Sequence, residues 1–214
     1  MKVYLSPSDQ WKNIVADKEH SEAKHCTEIA NACKVYLENN GISVIVGNNS
    51  KEKSFPSRVK ESNNWGADLH VAIHTNAGGG EGTEVLCWHS SKDNAYVKSI
   101  YKEVSNLTPT KDRGIKVNDN LYEISNTNCV TVYIEVEFHD NKDCENWIDA
   151  NIDNIGKAIA RGICKAKGIK FDESETELTS LYKVQIGAFK NKANAEKLAN
   201  ELKSKGYSTH ITRG

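Results

Sequence analysis

No run in this 214-residue chain approaches the roughly 20 apolar residues that span a bilayer, so membrane insertion is not expected. The N-terminus, Met1-Lys2-Val3-Tyr4-Leu5, carries no apolar h-region and no small-residue cleavage site. No signal peptide is therefore visible, and the chain is expected to be made in a cytoplasm. Action outside the cell would then require release by another agent. None of the six cysteines, Cys26, Cys33, Cys87, Cys129, Cys144 and Cys164, forms a CxxC pair. Reduced, buried thiols are the expectation for such a chain. HExxH is absent too, so no single short motif announces a chemistry. What is present is the composition of a soluble globular protein, 38% hydrophobic and 27% charged. The length suits one ordinary domain plus something small.

The net charge of −1 conceals an asymmetry. Residues 181–214 carry seven basic side chains against two acidic ones, +5, which leaves −6 on the other 180 residues. A basic tail on an acidic body suggests a polyanionic partner, such as nucleic acid or an anionic wall polymer.

Strand-like segments alternate with helical ones along the first 170 residues. Residues 2–6, 42–46, 68–74, 84–88 and 130–137 read as strands, the last (VTVYIEVE) most strongly. Residues 21–40 read as a helix with Ile29, Ala30, Cys33, Tyr36 and Leu37 on one face, Ser21 as N-cap and Gly41 as the stop. Further helices are expected at 58–64, 94–106 and 147–165. This alternation argues for an α/β fold, a mostly parallel twisted sheet flanked by helices. Residues 171–180 (FDESETELTS) hold four acids and read as a solvated linker. Residues 181–214 then read as a small β-α-β module: a strand at 181–188, a helix with Ala195, Leu198, Ala199 and Leu202 on one face, and a strand at 207–212. The expected domains are thus 1–170, a linker 171–180, and 181–214.

Three places could carry chemistry. His74 closes a buried strand just before Gly78-Gly79-Gly80, at the strand edge where α/β sheets place their sites. Glu135 and Glu137 share a strand face by the period of two, and a carboxylate inside an apolar strand is expensive without a partner. Glu22 falls in the first turn of a helix, where the dipole favours an anion. Together they supply the toolkit of a hydrolytic zinc site: protein ligands, an open position for water, and a general base. Each also has a plainer reading. His74 could be a satisfied strand histidine, Glu22 a helix-start residue and Glu135 half of a buried ion pair.

These residues sit in a wider pattern. Residues 3–10 (VYLSPSDQ), Glu22 with its helix ending in 40–44 (NGISV), 67–77 (ADLHVAIHTNA), 113–116 (RGIK), Leu121-Tyr122 and 134–141 (IEVEFHDN) follow one another in order. Over residues 2–169 the chain resembles the zinc-dependent N-acetylmuramoyl-L-alanine amidases of phage endolysins and bacterial autolysins. The resemblance implies that Glu22 and His74 bind zinc and that Glu135 is the catalytic glutamate. Glu137 then stands where the family has a glycine. The family's zinc-binding histidine after the first strand is missing from the turn Ser6-Pro7-Ser8-Asp9-Gln10. Gln10 is the expected replacement ligand, Asp9 the next, with His20 and His25 as further candidates. His70 reads as structural; His139 reads either as a substrate contact or as a surface loop residue.

The tail resembles the sporulation-related repeat that binds peptidoglycan, on Val184-Gln185-Ile186-Gly187-Ala188-Phe189, the Ala195-rich helix and Lys205-Gly206-Tyr207. Such a domain holds two β-α-β halves and this tail holds one, so a homodimer through residues 181–214 is expected. The implied function is hydrolysis of the bond between N-acetylmuramic acid and L-alanine in peptidoglycan. The alternatives are a zinc peptidase of the stem peptide and a non-catalytic wall-binding protein. A nucleic-acid partner is not expected, because Tyr182, Phe189 and Tyr207 carry no RNP-type motif.

Overall fold

The computed structural model describes residues 1–16, 20–47, 54–174, 186–205, 209 and 211. The chain divides into two compact units, Met1–Thr179 and Ser180–Gly214. In the first, β1 (Lys2–Pro7) leads to α1 (Glu22–Asn39), β2 (Ser43–Val46), α2 (Phe55–Trp65), β3 (Leu69–Asn76) and β4 (Thr83–Cys87). Then come α3 (Ala95–Ser105), β5 (Asp112–Val117), α4 (Tyr122–Asn126), β6 (Val130–Phe138), α5 (Lys142–Ala150) and α6 (Ile152–Lys167). The strands form one sheet in the order β2-β1-β3-β6-β4-β5. All neighbours pair in parallel except β6 and β4, which run antiparallel. This is the α/β architecture that the alternation of segments implies.

The local signals act as expected at several ends. The Ser21 side chain accepts the Lys24 N–H and starts α1. Gly41, at φ +73°, lets the chain leave that helix in a conformation that a Cβ would disfavour. Gly66 ends α2 in the same left-handed way.

The period of two gives the sheet two different faces. Val3, Leu5, Val71, Ile73, Val132, Ile134 and Val85 point one way and pack with Ile29 and Cys33 of α1, Ile100 of α3 and Ile159 of α6 in the main core. The other face carries Tyr4, Ser6, His70, His74, Tyr133 and Glu135, with α4 packed over part of it through Ile124. Helix α6 lies close because two glycines face its neighbours. A Cβ on Gly156 would come within 2.7 Å of Cys33 N, and one on Gly162 within 2.6 Å of Ile100 Cα. All six cysteines are free, and all but Cys129 are buried.

Three sequence expectations change. The single helix expected at 147–165 is two, because Asn151 leaves helical geometry (φ −124°, ψ 17°) between α5 and α6. Its amide Nδ2 donates to Trp147 O, the local backbone bond that makes asparagine a helix breaker. Strand β5 and helix α4 were not expected. The first is an exposed edge strand with little alternation, and the second is five residues long, too short for periodicity. Within 171–174, Phe171 packs onto the main core and the Asp172 N–H donates to Asn40 Oδ1, so this start of the acidic segment is tied to the first unit.

In the second unit, α7 (Lys192–Ser204) is the helix expected there. Residues 186–189 take no regular structure; the rest of the strand expected at 181–188 lies outside the described residues, as does nearly all of the one at 207–212. Ile186, Phe189 and Ile211 are exposed. Among the described residues no helix is long and apolar enough to cross a membrane.

Candidate functional site

Strand register puts the candidate residues into one transverse row. His74 of β3 is opposite Glu135 of β6, and Glu135 is opposite Glu84 of β4. Ser8, just beyond β1, continues toward this row by donating its N–H to Ile73 O. Glu22 enters from the side, at the first residue of α1. The start of that helix is held against the loop after β1, where the Glu22 N–H donates to Asn13 O.

Glu22 and His74 meet there. Glu22 Oε1 is 2.9 Å from His74 Nδ1, and both residues are buried. Burial opposes a charged Glu22, yet its bonds from His74 and Asn13 hold the carboxyl below the usual carboxylate range. Burial also opposes a charged His74, but the carboxylates of Glu123 and Glu22 outweigh it and push the imidazole up to about 10. The other ring nitrogen, Nε2, is buried without a hydrogen bond, 3.8 Å from Glu123 Oε2. Tyr133 stacks flat on the ring at 4.3 Å between centroids.

Glu135 sits beside this pair with Oε2 buried and unpartnered. Burial pushes its carboxyl up to about 7, with the charges of Glu22 and Glu84 adding to the rise against the pull of His74. Glu84 is held in the opposite sense. Lys116 and Arg113 bond its Oε2, and these contacts keep it below the usual range in spite of its burial. Neighbouring carboxylates with separated protonation behaviour are what acid–base chemistry requires.

Of the four candidates for the missing ligand, only Gln10 reaches Glu22: its amide nitrogen lies 3.5 Å from Glu22 Oε1, and its oxygen accepts from Asn13. Asp9 turns away, accepting the Phe55 N–H and facing Arg58. His20 and His25 turn to Asp149 on α5. Glu137 also departs from the row. A register shift follows His74, and Glu137 instead accepts the Gly82 N–H and the Thr110 hydroxyl. His70 is a structural histidine, bonded to Ser62 and Glu123.

Glu123 carried no sequence signal, and His139 was legible only as a substrate contact or a surface loop residue. Glu123, on the short α4, accepts from Ser6 Oγ and His70 while facing His74; the two histidines hold its carboxyl well below the usual range despite its burial. His139 is not a surface residue. It is buried, its Nδ1 lies 3.0 Å from Thr75 O, and it stands 4.0 Å from Glu22 Oε2.

A family model described as N-acetylmuramoyl-L-alanine amidase matches residues 12–165, and a SPOR domain model matches residues 178–214. A sporulation-specific N-acetylmuramoyl-L-alanine amidase of Bacillus subtilis (strain 168) is 30% identical over 217 residues, covering 99% of this chain and 84% of that protein. An N-acetylmuramoyl-L-alanine amidase of Bacillus licheniformis is 30% identical over 219 residues, with the same two shares, 99% and 84%. The solved catalytic domain of an N-acetylmuramoyl-L-alanine amidase from Bacillus (Paenibacillus) polymyxa var. colistinus superposes with a TM-score of 0.72 at 23% identity, over 79% of this chain and 99% of that one. At that identity the likeness bears on the fold alone.

Proposed function

Because the chain belongs to the N-acetylmuramoyl-L-alanine amidase family, we propose that its first unit hydrolyses the amide bond between N-acetylmuramic acid and L-alanine in bacterial peptidoglycan. The observation that carries the reading is the placement of Glu135 in register beside His74, at the end of β3 where Glu22 arrives from α1.

We further read the site as a zinc site. What supports this is the donor chemistry: an imidazole and a carboxylate in contact, a further half-buried carboxylate with one buried, unpartnered oxygen, and an excess of negative groups that a cation would offset. Glu22 and His74 would hold the ion. Gln10 is the third side chain at Glu22 among those the sequence offered, and the His139 imidazole stands on the far side of the same carboxylate. A carboxylate behind a ligating histidine orients its ring, and Glu123 has that place behind His74 Nε2. A bound zinc would supply Lewis acidity toward the scissile carbonyl and toward water. Glu135 accepts the proton of the attacking water and returns it to the leaving amine, so the carbonyl carbon gains the hydroxyl and the L-alanine nitrogen gains the hydrogen. Tyr133 covers one face of the His74 ring and keeps it from rotating.

Purified cell walls test the reaction class. The expected result is new amino groups on L-alanine with no new reducing sugar, and loss of that release on chelation with recovery on adding zinc. Release of amines from other residues would instead indicate a stem-peptide peptidase, and wall binding without release a non-catalytic protein. The second unit, matching the SPOR domain, is read as the wall-binding part. Exposed Ile186, Phe189 and Ile211 support pairing of two 181–214 segments into one complete module. Light scattering of the intact chain is expected to return twice the monomer mass; a monomer mass across the micromolar range would remove the pairing.

A further inference from the structure

His20 and His25 do not serve the Glu22–His74 site, and the place where they go has its own logic. His25 lies in the first turns of α1 and is fully buried. His20 immediately precedes the Ser21 cap. Across from them, α5 presents Glu145 and Asp149, one turn apart and so on one side of that helix. One ligand atom from each of His20, His25, Glu145 and Asp149 lies within 4.8 Å of every other. Neither group of residues shares a member with the other, although both use the start of α1.

The interior of this cluster is unsatisfied as it stands. His25 Nδ1 is buried with no hydrogen-bond partner. Its Nε2 is 2.8 Å from Asp149 Oδ1 but lies off the geometry of a hydrogen bond. Glu145 is 1% exposed, and its Oε1 is buried and unpartnered while Lys142 takes Oε2. Buried polar atoms without partners are rare, because each forgoes the hydrogen bonds that water gave it. The unpartnered His25 Nε2 and Glu145 Oε1 belong to side chains whose ligand atoms gather within 4.8 Å of one another, the grouping that a metal's ligand set has. Two imidazoles and two carboxylates form a donor set suited to zinc. Zinc bonds of about 2 Å put tetrahedral donors roughly 3.4 Å apart, so the cluster needs only a small contraction to close.

We propose that His20, His25, Glu145 and Asp149 form a second divalent-metal site of zinc type, with a structural role. It clasps the start of α1, which carries Glu22, to α5, the helix that follows the Glu135 strand. Four protein ligands leave no open position for substrate, which separates this site in kind from the one at His74.

The test is zinc content and thermal melting of the full chain after dialysis against zinc-free buffer, in four proteins: wild type, His74→Ala, Asp149→Asn, and the two changes combined. His20→Ala serves as a second, less buried variant in place of any change at His25. The expected result is two equivalents in wild type, one in His74→Ala, one in Asp149→Asn and in His20→Ala, and none in the combined variant. Added zinc is expected to raise the Tm of His74→Ala and not that of the combined variant. Equal zinc content and equal zinc-dependent Tm in His74→Ala with and without Asp149→Asn would overturn the second site. A single equivalent that survives His74→Ala and is lost in Asp149→Asn would support this site and remove zinc from the catalytic one.

Discussion

Glu135→Gln is expected to lower wall hydrolysis by about a hundred- to ten-thousand-fold, the range for loss of a general acid–base group. The reasoning begins with burial. Glu135 is half-buried between His74 and Glu84, with one carboxyl oxygen shut away from solvent, and this desolvation lifts its carboxyl to about 7. At neutral pH such a group can both take a proton from water and give one to an amine. Glutamine has the same shape and can do neither. The substitution leaves Glu22 and His74 in place, so zinc content is expected to stay at the wild-type value. Stability is expected to hold or rise. Oε2 has no partner, and a neutral amide removes the cost of burying an uncompensated charge. Amine release from purified walls, measured beside Tm and zinc content, separates the catalytic effect from unfolding. Hydrolysis within about threefold of wild type would remove the assignment, because that loss is far below the general-base range.

Glu123→Ala is expected to cost about 3–5 kcal/mol of stability, the range for breaking a buried ion pair from one side. For a domain of this size that corresponds to a Tm lower by about 6–20 °C. Glu123 accepts from Ser6 and His70 and faces His74, and Arg58 Nε donates to the same Ser6 hydroxyl from a fully buried position. Removing the carboxylate strands His70 and the Arg58 guanidinium in a dry interior with less negative charge to face. Glu123→Gln keeps the shape and an acceptor oxygen and is expected to lose less stability. Its activity at a temperature where it is folded should still fall by about 10- to 100-fold, the usual effect of losing the carboxylate behind a metal-binding histidine. Chemical denaturation gives the first quantity and wall hydrolysis the second. If Glu123→Ala melts within about 2 °C of wild type, the network carries no such weight.

How much of this was legible depended on whether the signal was local. The helix at α1 announced itself through an apolar face, a serine cap and a glycine stop, and each behaves as expected. The long apolar strands β3 and β6 did the same, and with them His74 and Glu135, because a polar residue in an apolar run stands out. Helix α4 did not. Five residues hold barely more than one turn, so no period can form, and Glu123 went unnoticed with it. The break at Asn151 was hidden because the isoleucines on either side kept a common face, while the bond that ends the helix is a single side-chain contact.

The sequence by itself determined the α/β alternation and, through the order of its motifs, the reaction class; it singled out His74 and Glu135 as polar residues in apolar strands, and the family resemblance added Glu22 as a candidate beside them. Only the tertiary structure decided which of the other polar residues meet them. By sequence Gln10, Asp9, His20 and His25 are all candidates for the missing zinc donor, and His139 for a substrate contact. Their directions follow from the packing of α1, α2 and α5 against the sheet, and those contacts join residues 10 to more than 120 positions apart. That packing gives Glu22 to His74, turns Asp9 to α2, buries His139 beside Glu22 and gathers His20 and His25 with Glu145 and Asp149. A chain pattern encodes which residue is unusual for its place; which unusual residues become neighbours is set by how the elements close on one another.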